Sequence, residues 1–189
     1  PGIKIVSPST ARDAKGLLKA AIRDDDPVLF FEHKKLYRAP FLREVLPQDD
    51  YVVDLGSARV HREGTDVTVV TYGSMVHESQ KAAEQLAAED GLELEILDLR
   101  SLVPLDEAAI VESVKKTSRV LVVHEDTRTG GIAGEIAMRV SEKAFEWLDA
   151  PILRVTALDT PVPYSPPLED YFLPQVDDIL KACRYLADY

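Results

Sequence analysis

RVLVVHEDTRTGGIAGEI, residues 119–136, is the stretch that decides the fold. Its apolar, β-branched beginning predicts a strand, and the glycines after it lead into an amphipathic helix. Three polar residues follow the strand directly, namely His124, Glu125 and Asp126. Polar groups and a flexible backbone therefore lie at the carboxyl end of a strand, where open α/β sheets bind ligands or partners.

Strand and helix patterns alternate on both sides of this stretch. Predicted strands cover residues 67–73, 92–97, 120–123 and 152–156. Predicted helices cover 74–89 with Ser74 as N-cap, a segment capped by Asp106, 132–148, and a segment from about Pro174. The proline-rich run DTPVPYSPP is predicted to be a loop. The pattern predicts an α/β domain over residues 65–189, with a mostly parallel sheet between two helical layers.

The first residues form a separate β-α-β pattern. A strand is predicted at 3–6, a helix at 10–23 and a second strand at 28–32, which requires a parallel sheet. Two strands and a helix cannot bury their own apolar faces. We therefore expect residues 1–38 to be the end of another domain, 39–64 to be a linker with a short strand near 51–55, and the chain to be part of a longer protein.

Charge and composition exclude several function classes. The chain has 33 acidic and 22 basic residues, so its net charge of -11 repels nucleic acid and suits a basic protein partner. No apolar run approaches the roughly 20 residues that a membrane span needs, and no signal or transit peptide is visible. Cys183, the single cysteine, excludes an internal disulfide and is expected in the core.

The polar residues and glycines of the central stretch leave several alternatives open. Gly130, Gly131 and Gly134 are spaced GGxxG rather than GxGxxG, which favours close backbone packing over nucleotide binding. His124 with its acidic neighbours could act as a general base or as a metal-binding pair. Neighbouring residues on a strand point to opposite sides, which favours a structural or partner-contact role.

Two acidic positions outside this stretch are also candidate sites. Asp24, Asp25 and Asp26 follow the end of a helix, where their carboxylates face the negative end of the helix dipole. This unfavourable arrangement predicts either a bound cation or a turn whose carboxylates are solvated. Asp149 follows a helix end and is an exposed candidate for a partner contact. The histidines His33, His61 and His77 are interpreted as isolated surface residues.

Six separated blocks of sequence occur in a familiar order. They are PGIKIVSPSTARDAKGLL with DDDPVLFFEHKKLYR, GTDVTVVTYG, LELEILDLRSLVPLD, HEDTRTGGIAGEI, LDAPILRV and DTPVPYSP. The chain resembles the C-terminal part of the beta subunit of thiamine diphosphate-dependent 2-oxoacid dehydrogenases. The resemblance implies the last β-α-β unit of a pyrimidine-binding domain, followed by a transketolase C-terminal-type domain.

This resemblance implies oxidative decarboxylation of a 2-oxoacid with acyl transfer to a lipoyl group, performed by a heterotetramer of alpha and beta subunits. The family's catalytic glutamate and histidine lie upstream of the residue that matches Pro1. Thiamine diphosphate and magnesium are therefore expected in the holoenzyme and not on this chain alone. We assign no catalytic or cofactor-binding residue here and expect this part alone to be inactive.

The resemblance also implies three binding regions. Ala21, Asp24 and Asp26 match a potassium site of branched-chain members. Some members have a cysteine where this chain has Ala21, and a main-chain carbonyl ligand would survive that change. Asp149 and the terminal carboxylate of Tyr189 match contacts to the basic subunit-binding domain of the dihydrolipoyl acyltransferase. The helix that begins near residue 131 resembles part of the interface with a second beta subunit.

For the substrate, FFEHKKLYR resembles the segment FFEPKxLYR of branched-chain members, which favours branched-chain 2-oxoacids over pyruvate. The alternatives are a pyruvate dehydrogenase beta subunit, the tail of a transketolase or deoxyxylulose phosphate synthase, and a non-catalytic stand-alone binding module. We expect a bacterial cytoplasmic location rather than the mitochondrial matrix.

Overall fold

A computed structural model describes residues 2–189. Its strands are β1 (Lys4–Val6), β2 (Val28–Phe30), β3 (Arg59–Arg62), β4 (Val67–Thr71), β5 (Leu94–Asp98), β6 (Ser101–Val103), β7 (Val120–Thr127) and β8 (Leu153–Ala157). Its helices are α1 (Ala11–Arg23), α2 (Met75–Glu89), α3 (Glu107–Thr117), α4 (Ala133–Ala144), α5 (Pro166–Phe172) and α6 (Val176–Ala187). Short 3-10 turns lie at Lys34–Arg38, Pro40–Leu42 and Phe145–Trp147.

The larger sheet has five strands in the order β3-β5-β4-β7-β8. All neighbouring pairs are parallel except β3 with β5. The central strand β4 is buried at every position because helices cover both of its faces. The predicted fold class, a mostly parallel sheet in an α/β domain, is confirmed.

Each face of this sheet has its own apolar core. Because successive side chains of a strand point to opposite faces, Val69 packs towards α2 and α6, whereas Val70 packs towards α3 and α4. Cys183 of α6 is buried in the first core, as predicted. The two helical layers and the sheet between them make a three-layer domain, and we refer to β3 and residues 65–189 together as the C-terminal domain.

A smaller sheet has the order β2-β1-β6. Strands β1 and β2 are parallel and are joined by α1, which confirms the predicted β-α-β unit. We refer to residues 2–38 as the N-terminal unit. The third strand, β6, pairs antiparallel with β1 and comes from the sequence directly after β5. A backbone turn at Arg100, with φ of 56°, moves the chain from one sheet to the other.

Several local predictions were wrong. The strand expected near residues 51–55 is absent there, and β3 lies at Arg59–Arg62 instead, paired with β5. Helix α5 begins at Pro166, at the end of the predicted proline-rich loop, and its first turn tolerates this proline because its N–H would be unpaired anyway. The helix expected at 132–148 is α-helical only to Ala144.

The two helix caps predicted from sequence differ in outcome. Asp106 caps α3 by accepting a hydrogen bond from the Ala109 N–H at 3.0 Å. Ser74 occupies the N-cap position of α2 but makes no side-chain capping bond.

Among residues 2–189, no helix is both long and apolar enough to cross a lipid bilayer.

Candidate functional site

His124 lies inside β7, because the strand predicted at 120–123 continues to Thr127, and it is a core residue. Its side chain is fully buried and its ring stacks on Tyr72, with 6.4 Å between the ring centroids. On the other side, a Cβ atom added to Gly131 would lie 2.6 Å from His124 Cε1. Burial lowers the pKa of the imidazole, so the ring is neutral near pH 7. The ring is therefore packed against both Tyr72 and the Gly131 backbone.

Glu125 points away from His124 and contacts the N-terminal unit. Its Oε2 lies 3.0 Å from Nε2 of His33. The Glu125 hydrogen bond raises the pKa of His33 despite partial burial. Burial acts to raise the pKa of Glu125, but His33 holds it below its ordinary value. The interpretation of His33 as an isolated surface residue was therefore wrong, because it is half-buried and paired.

The three consecutive polar residues of β7 thus face three different environments. His124 packs in the core and Glu125 pairs with His33, while the exposed Asp126 carboxylate accepts a hydrogen bond from the Thr127 N–H at 2.8 Å. Within residues 2–189, no group of three His, Cys, Asp or Glu side chains is arranged to hold a metal ion. The central stretch contains neither a base with its orienting carboxylate nor a metal-binding pair.

The predicted cation site at the end of α1 is bridged by a lysine. Nζ of Lys4 lies 2.7 Å from the Asp24 carboxylate and 3.1 Å from that of Asp26. The Lys4 hydrogen bond holds the pKa of Asp24 below its ordinary value. Ala21 lies in the last turn of the same helix. The Lys4 ammonium thus supplies a positive charge beside the carboxylates at the C-terminal end of α1. Potassium at this site stays a prediction.

Asp149 and Tyr189, the predicted partner-binding residues, line the same groove. The groove has a volume of about 500 Å³ and lies between the end of α4, the start of β8 and the last residues of the chain. Its other lining residues are mostly apolar, namely Ala137, Ser141, Phe145, Leu148, Ala150, Pro151 and Ile152. Within residues 2–189, Asp149 has no ion-pair partner. The groove therefore combines an apolar floor with an available carboxylate.

The outer face of α4 borders this groove and continues into a second one. The second groove, about 400 Å³, shares Ala137 and is also lined by Gly134, Arg128 and Arg154. A Cβ atom added to Gly134 would have no heavy atom within 4 Å, so this part of the helix faces open space. Small residues on an uncovered helix face allow another backbone to approach closely.

A larger cavity, about 660 Å³, lies between the start of α1 and the segment around residues 32–46. Its lining includes Ala14, His33, Leu36 and Leu42, and it contains none of the predicted site residues. The groove beside Asp149 is therefore the feature that best matches the sequence-based predictions.

Comparisons with known proteins agree with this architecture. Residues 56–179 match the family described as transketolase, C-terminal domain, and residues 1–40 match transketolase, pyrimidine binding domain. A solved structure described as split gene transketolase, inactive beta4 tetramer, superposes with a TM-score of 0.79 and 25% identity. That similarity covers 100% of this chain and 58% of the solved one.

Two curated relatives come from Bacillus subtilis (strain 168). The 2-oxoisovalerate dehydrogenase subunit beta is 51% identical over 190 residues, and the pyruvate dehydrogenase E1 component subunit beta is 48% identical over 189 residues. Each similarity covers all of this chain but 57% of the relative's length. The resemblance seen in the sequence blocks is confirmed. The chain belongs to the transketolase C-terminal domain family.

Proposed function

We propose that the chain is the C-terminal part of the beta subunit of a thiamine diphosphate-dependent 2-oxoacid dehydrogenase. The observation that carries this proposal is the similarity, over the whole chain, to two beta subunits of such dehydrogenases. The whole enzyme would oxidatively decarboxylate a 2-oxoacid and transfer the acyl group to lipoyl. When bound, thiamine diphosphate supplies the electron sink for decarboxylation.

The role of residues 1–189 in that enzyme is assembly and docking. No residue here is assigned to catalysis, to thiamine diphosphate or to magnesium, and the chemistry needs the rest of the beta subunit and an alpha subunit. The division into a pyrimidine-domain end (1–38), a linker (39–64) and a transketolase-type domain (65–189) is part of the proposal. The bacterial origin of the relatives supports a location in the bacterial cytoplasm.

The preferred substrate is a branched-chain 2-oxoacid, with pyruvate as the alternative. The preference rests on FFEHKKLYR, because identities of 51% and 48% differ too little to choose between the two. In the structure, this segment ends in the 3-10 turn Lys34–Arg38, where the Tyr37 hydroxyl donates to Glu32 at 2.5 Å.

The test is reconstitution of the complete beta subunit with its alpha subunit, thiamine diphosphate, magnesium and a lipoylated acyltransferase. We expect a higher kcat/KM for 3-methyl-2-oxobutanoate than for pyruvate, measured as acylation of the lipoyl group. The opposite ranking would support the pyruvate alternative. Absence of turnover with either acid, in a complex that assembles, would favour the stand-alone binding module.

The groove beside Asp149 is the proposed docking site for the basic subunit-binding domain of the acyltransferase. The net charge of -11 favours a basic partner, and the unpaired Asp149 carboxylate can make a charge-assisted hydrogen bond. Tyr189 lines the same groove. The exposed Phe145 adds an apolar contact surface to it.

Asp149→Lys tests this docking site. Loss of one charge-assisted contact should weaken binding by at least about 1 kcal/mol, or roughly fivefold. The measurement is titration calorimetry of the assembled dehydrogenase with the isolated subunit-binding domain at low salt. Asp25→Lys, which changes an exposed aspartate of the N-terminal unit in the same way, is the control. Equal affinity of the two variants would exclude Asp149 from the contact.

The outer face of α4 is the proposed contact with a second beta subunit. Gly134 and Ala137 lie there beside two shallow grooves, and Gly134 has open space around it. Potassium at Ala21, Asp24 and Asp26 is also part of the proposal. It would have to displace or share the two carboxylates with the Lys4 ammonium.

A further inference from the structure

One face of α1 is basic although the protein as a whole is acidic. The basic residues of this helix recur at intervals of three and four positions, which places them on one face: Arg12, Lys15, Lys19 and Arg23. In a chain with a net charge of -11, such a face attracts acidic segments. Residues 44–53, which follow the N-terminal unit, lie along this face, and we refer to them as the strap.

The polar contacts of the strap are made with the basic side chains of α1. Lys19 Nζ and Arg23 Nη2 each lie 2.7 Å from the carboxylate of Asp50. Lys15 Nζ donates a hydrogen bond to the carbonyl oxygen of Pro47. Oxygen atoms of the strap therefore accept hydrogen bonds from three basic residues of the helix.

Tyr51 and Val53 of the strap pack directly on the helix. The Tyr51 ring lies under two cations, with 5.0 Å from its centroid to Lys15 Nζ and 5.8 Å to the Arg12 guanidinium. Its hydroxyl donates to the Arg12 carbonyl at 2.9 Å. A Cβ atom added to Gly16 would lie 2.5 Å from Val53 Cγ2 and 3.0 Å from the Val53 nitrogen. The absence of a side chain at Gly16 therefore lets the strap backbone approach α1.

The strap has no secondary structure of its own. Its residues belong to no helix or strand. Within residues 2–189, no backbone–backbone hydrogen bond involves any residue of the strap. Side-chain contacts alone therefore hold this part of the chain against α1.

The ion pairs of Asp50 are open to solvent. The Asp50 side chain is 61% exposed. Hydrogen bonds from Lys19 and then Arg23 lower its pKa to about 2, so it is ionised throughout the neutral pH range. Dissolved salt screens exposed charges, because the Debye length falls from about 10 Å at 0.1 M to about 3 Å at 1 M. Ionic strength, rather than pH, is therefore the condition that weakens these contacts near neutral pH.

We propose that the strap is a salt-sensitive closure over the basic face of α1: low ionic strength holds residues 44–53 against the helix, and high ionic strength releases them to solvent and to proteases. The release is local, because no helix, strand or backbone hydrogen bond has to open. The proposal does not depend on the proposed enzymatic activity, since it concerns only contacts within this chain.

Limited digestion of the complete protein with chymotrypsin tests the strap. Cleavage after Tyr51 requires its ring to leave the helix, whereas Tyr164 lies in a fully exposed loop and reports on the protease itself. The ratio of the two initial cleavage rates, measured by mass spectrometry, therefore cancels effects of salt on the protease. From about 20 mM to about 500 mM sodium chloride this ratio should rise about fivefold, the size expected when two exposed ion pairs are screened.

Asp50→Asn removes both ion pairs of the strap. We expect its ratio at low salt to match that of the wild type at high salt, and to change little as salt is added. Asp54→Asn removes the same charge from an exposed aspartate outside the strap and should behave as the wild type. A wild-type ratio that does not rise with salt would overturn the proposal, and so would equal salt responses in the two variants.

Gly16→Ala gives a second readout that does not change any charge. Its Cβ would displace Val53, so the cleavage ratio should rise at least about fivefold at low salt. Alanine also favours the helix itself, so a rise cannot come from unfolding of α1. A ratio equal to that of the wild type in Gly16→Ala would contradict the seating of the strap on this helix.

Discussion

Replacement of Gly131 by alanine is expected to destabilise the protein. The new Cβ would lie 2.5 Å from the carbonyl oxygen of Thr127 and 2.6 Å from Cε1 of His124. Neither neighbour can retreat easily, because one is backbone and the other is a fully buried ring that stacks on Tyr72. Overpacking of this kind costs about 1–3 kcal/mol of unfolding free energy.

Gly134, three residues later, provides the matched control. It lies in the first turn of α4, and a Cβ added there meets no heavy atom within 4 Å. Alanine is favoured over glycine by about 1 kcal/mol inside a helix, so Gly134→Ala should gain about 0.5–1 kcal/mol. The substitution of glycine by alanine should therefore lower the unfolding free energy at position 131 and raise it at position 134.

Equilibrium urea unfolding followed by circular dichroism measures both variants. The unfolding free energies should differ by about 1.5–4 kcal/mol, with wild type between them. Low protein concentration limits any contribution from contacts between subunits at the outer face of α4. If Gly131→Ala were as stable as Gly134→Ala, the description of His124 as a tightly enclosed core residue would be incorrect.

Three further predictions concern the other sites. Potassium should raise the melting temperature relative to tetramethylammonium at equal ionic strength, and equal values would exclude the predicted site at Ala21, Asp24 and Asp26. Asp106→Ala should lower the unfolding free energy by about 1–2 kcal/mol in urea titrations, because it removes the α3 cap and the acceptor of the Ala58 N–H. Glu125→Gln should remove the stabilisation that the His33–Glu125 ion pair provides. Because the pKa of His33 is raised on folding, the stabilisation from His33 is fully present below pH 6.5 and is lost as pH rises through its folded-state pKa. Because the pKa of Glu125 is lowered on folding, the stabilisation from Glu125 is present above pH 4.5 and is lost as pH falls through its folded-state pKa. The unfolding midpoints of wild type and variant should therefore differ most between pH 4.5 and 6.5, and a constant difference from pH 4 to 8 would contradict the ion pair.

Local periodicity explains why much of the C-terminal domain could be predicted from sequence. The buried runs of β4 and β7 and the apolar face of α6, which carries Cys183, leave clear patterns in consecutive residues. The Asp106 cap is also a local signal. Strand β6 has only three residues, too few for a recognisable alternation, and its pairing with β1 depends on a turn at a non-glycine residue.

The candidate sites also depend on contacts between distant parts of the sequence, which local patterns do not reveal. His33 and Glu125 are 92 residues apart, and no local pattern connects a histidine after one strand with a carboxylate at the end of another. Lys4 reaches Asp24 across 20 residues through the parallel pairing of β1 and β2. Asp149 and Tyr189 could be placed together only through resemblance to a known family, and the structure finds them on one groove.

The crossing of the chain from β5 to β6 has a consequence for proteolysis. A protease that cuts between residues 39 and 50 severs the chain segment that joins the N-terminal unit covalently to the C-terminal domain. Strand β6 nevertheless remains hydrogen-bonded to β1, and Asp13 remains paired with Arg59 and Arg100. The two cleavage products should therefore stay associated through strand complementation and migrate as one species until denatured.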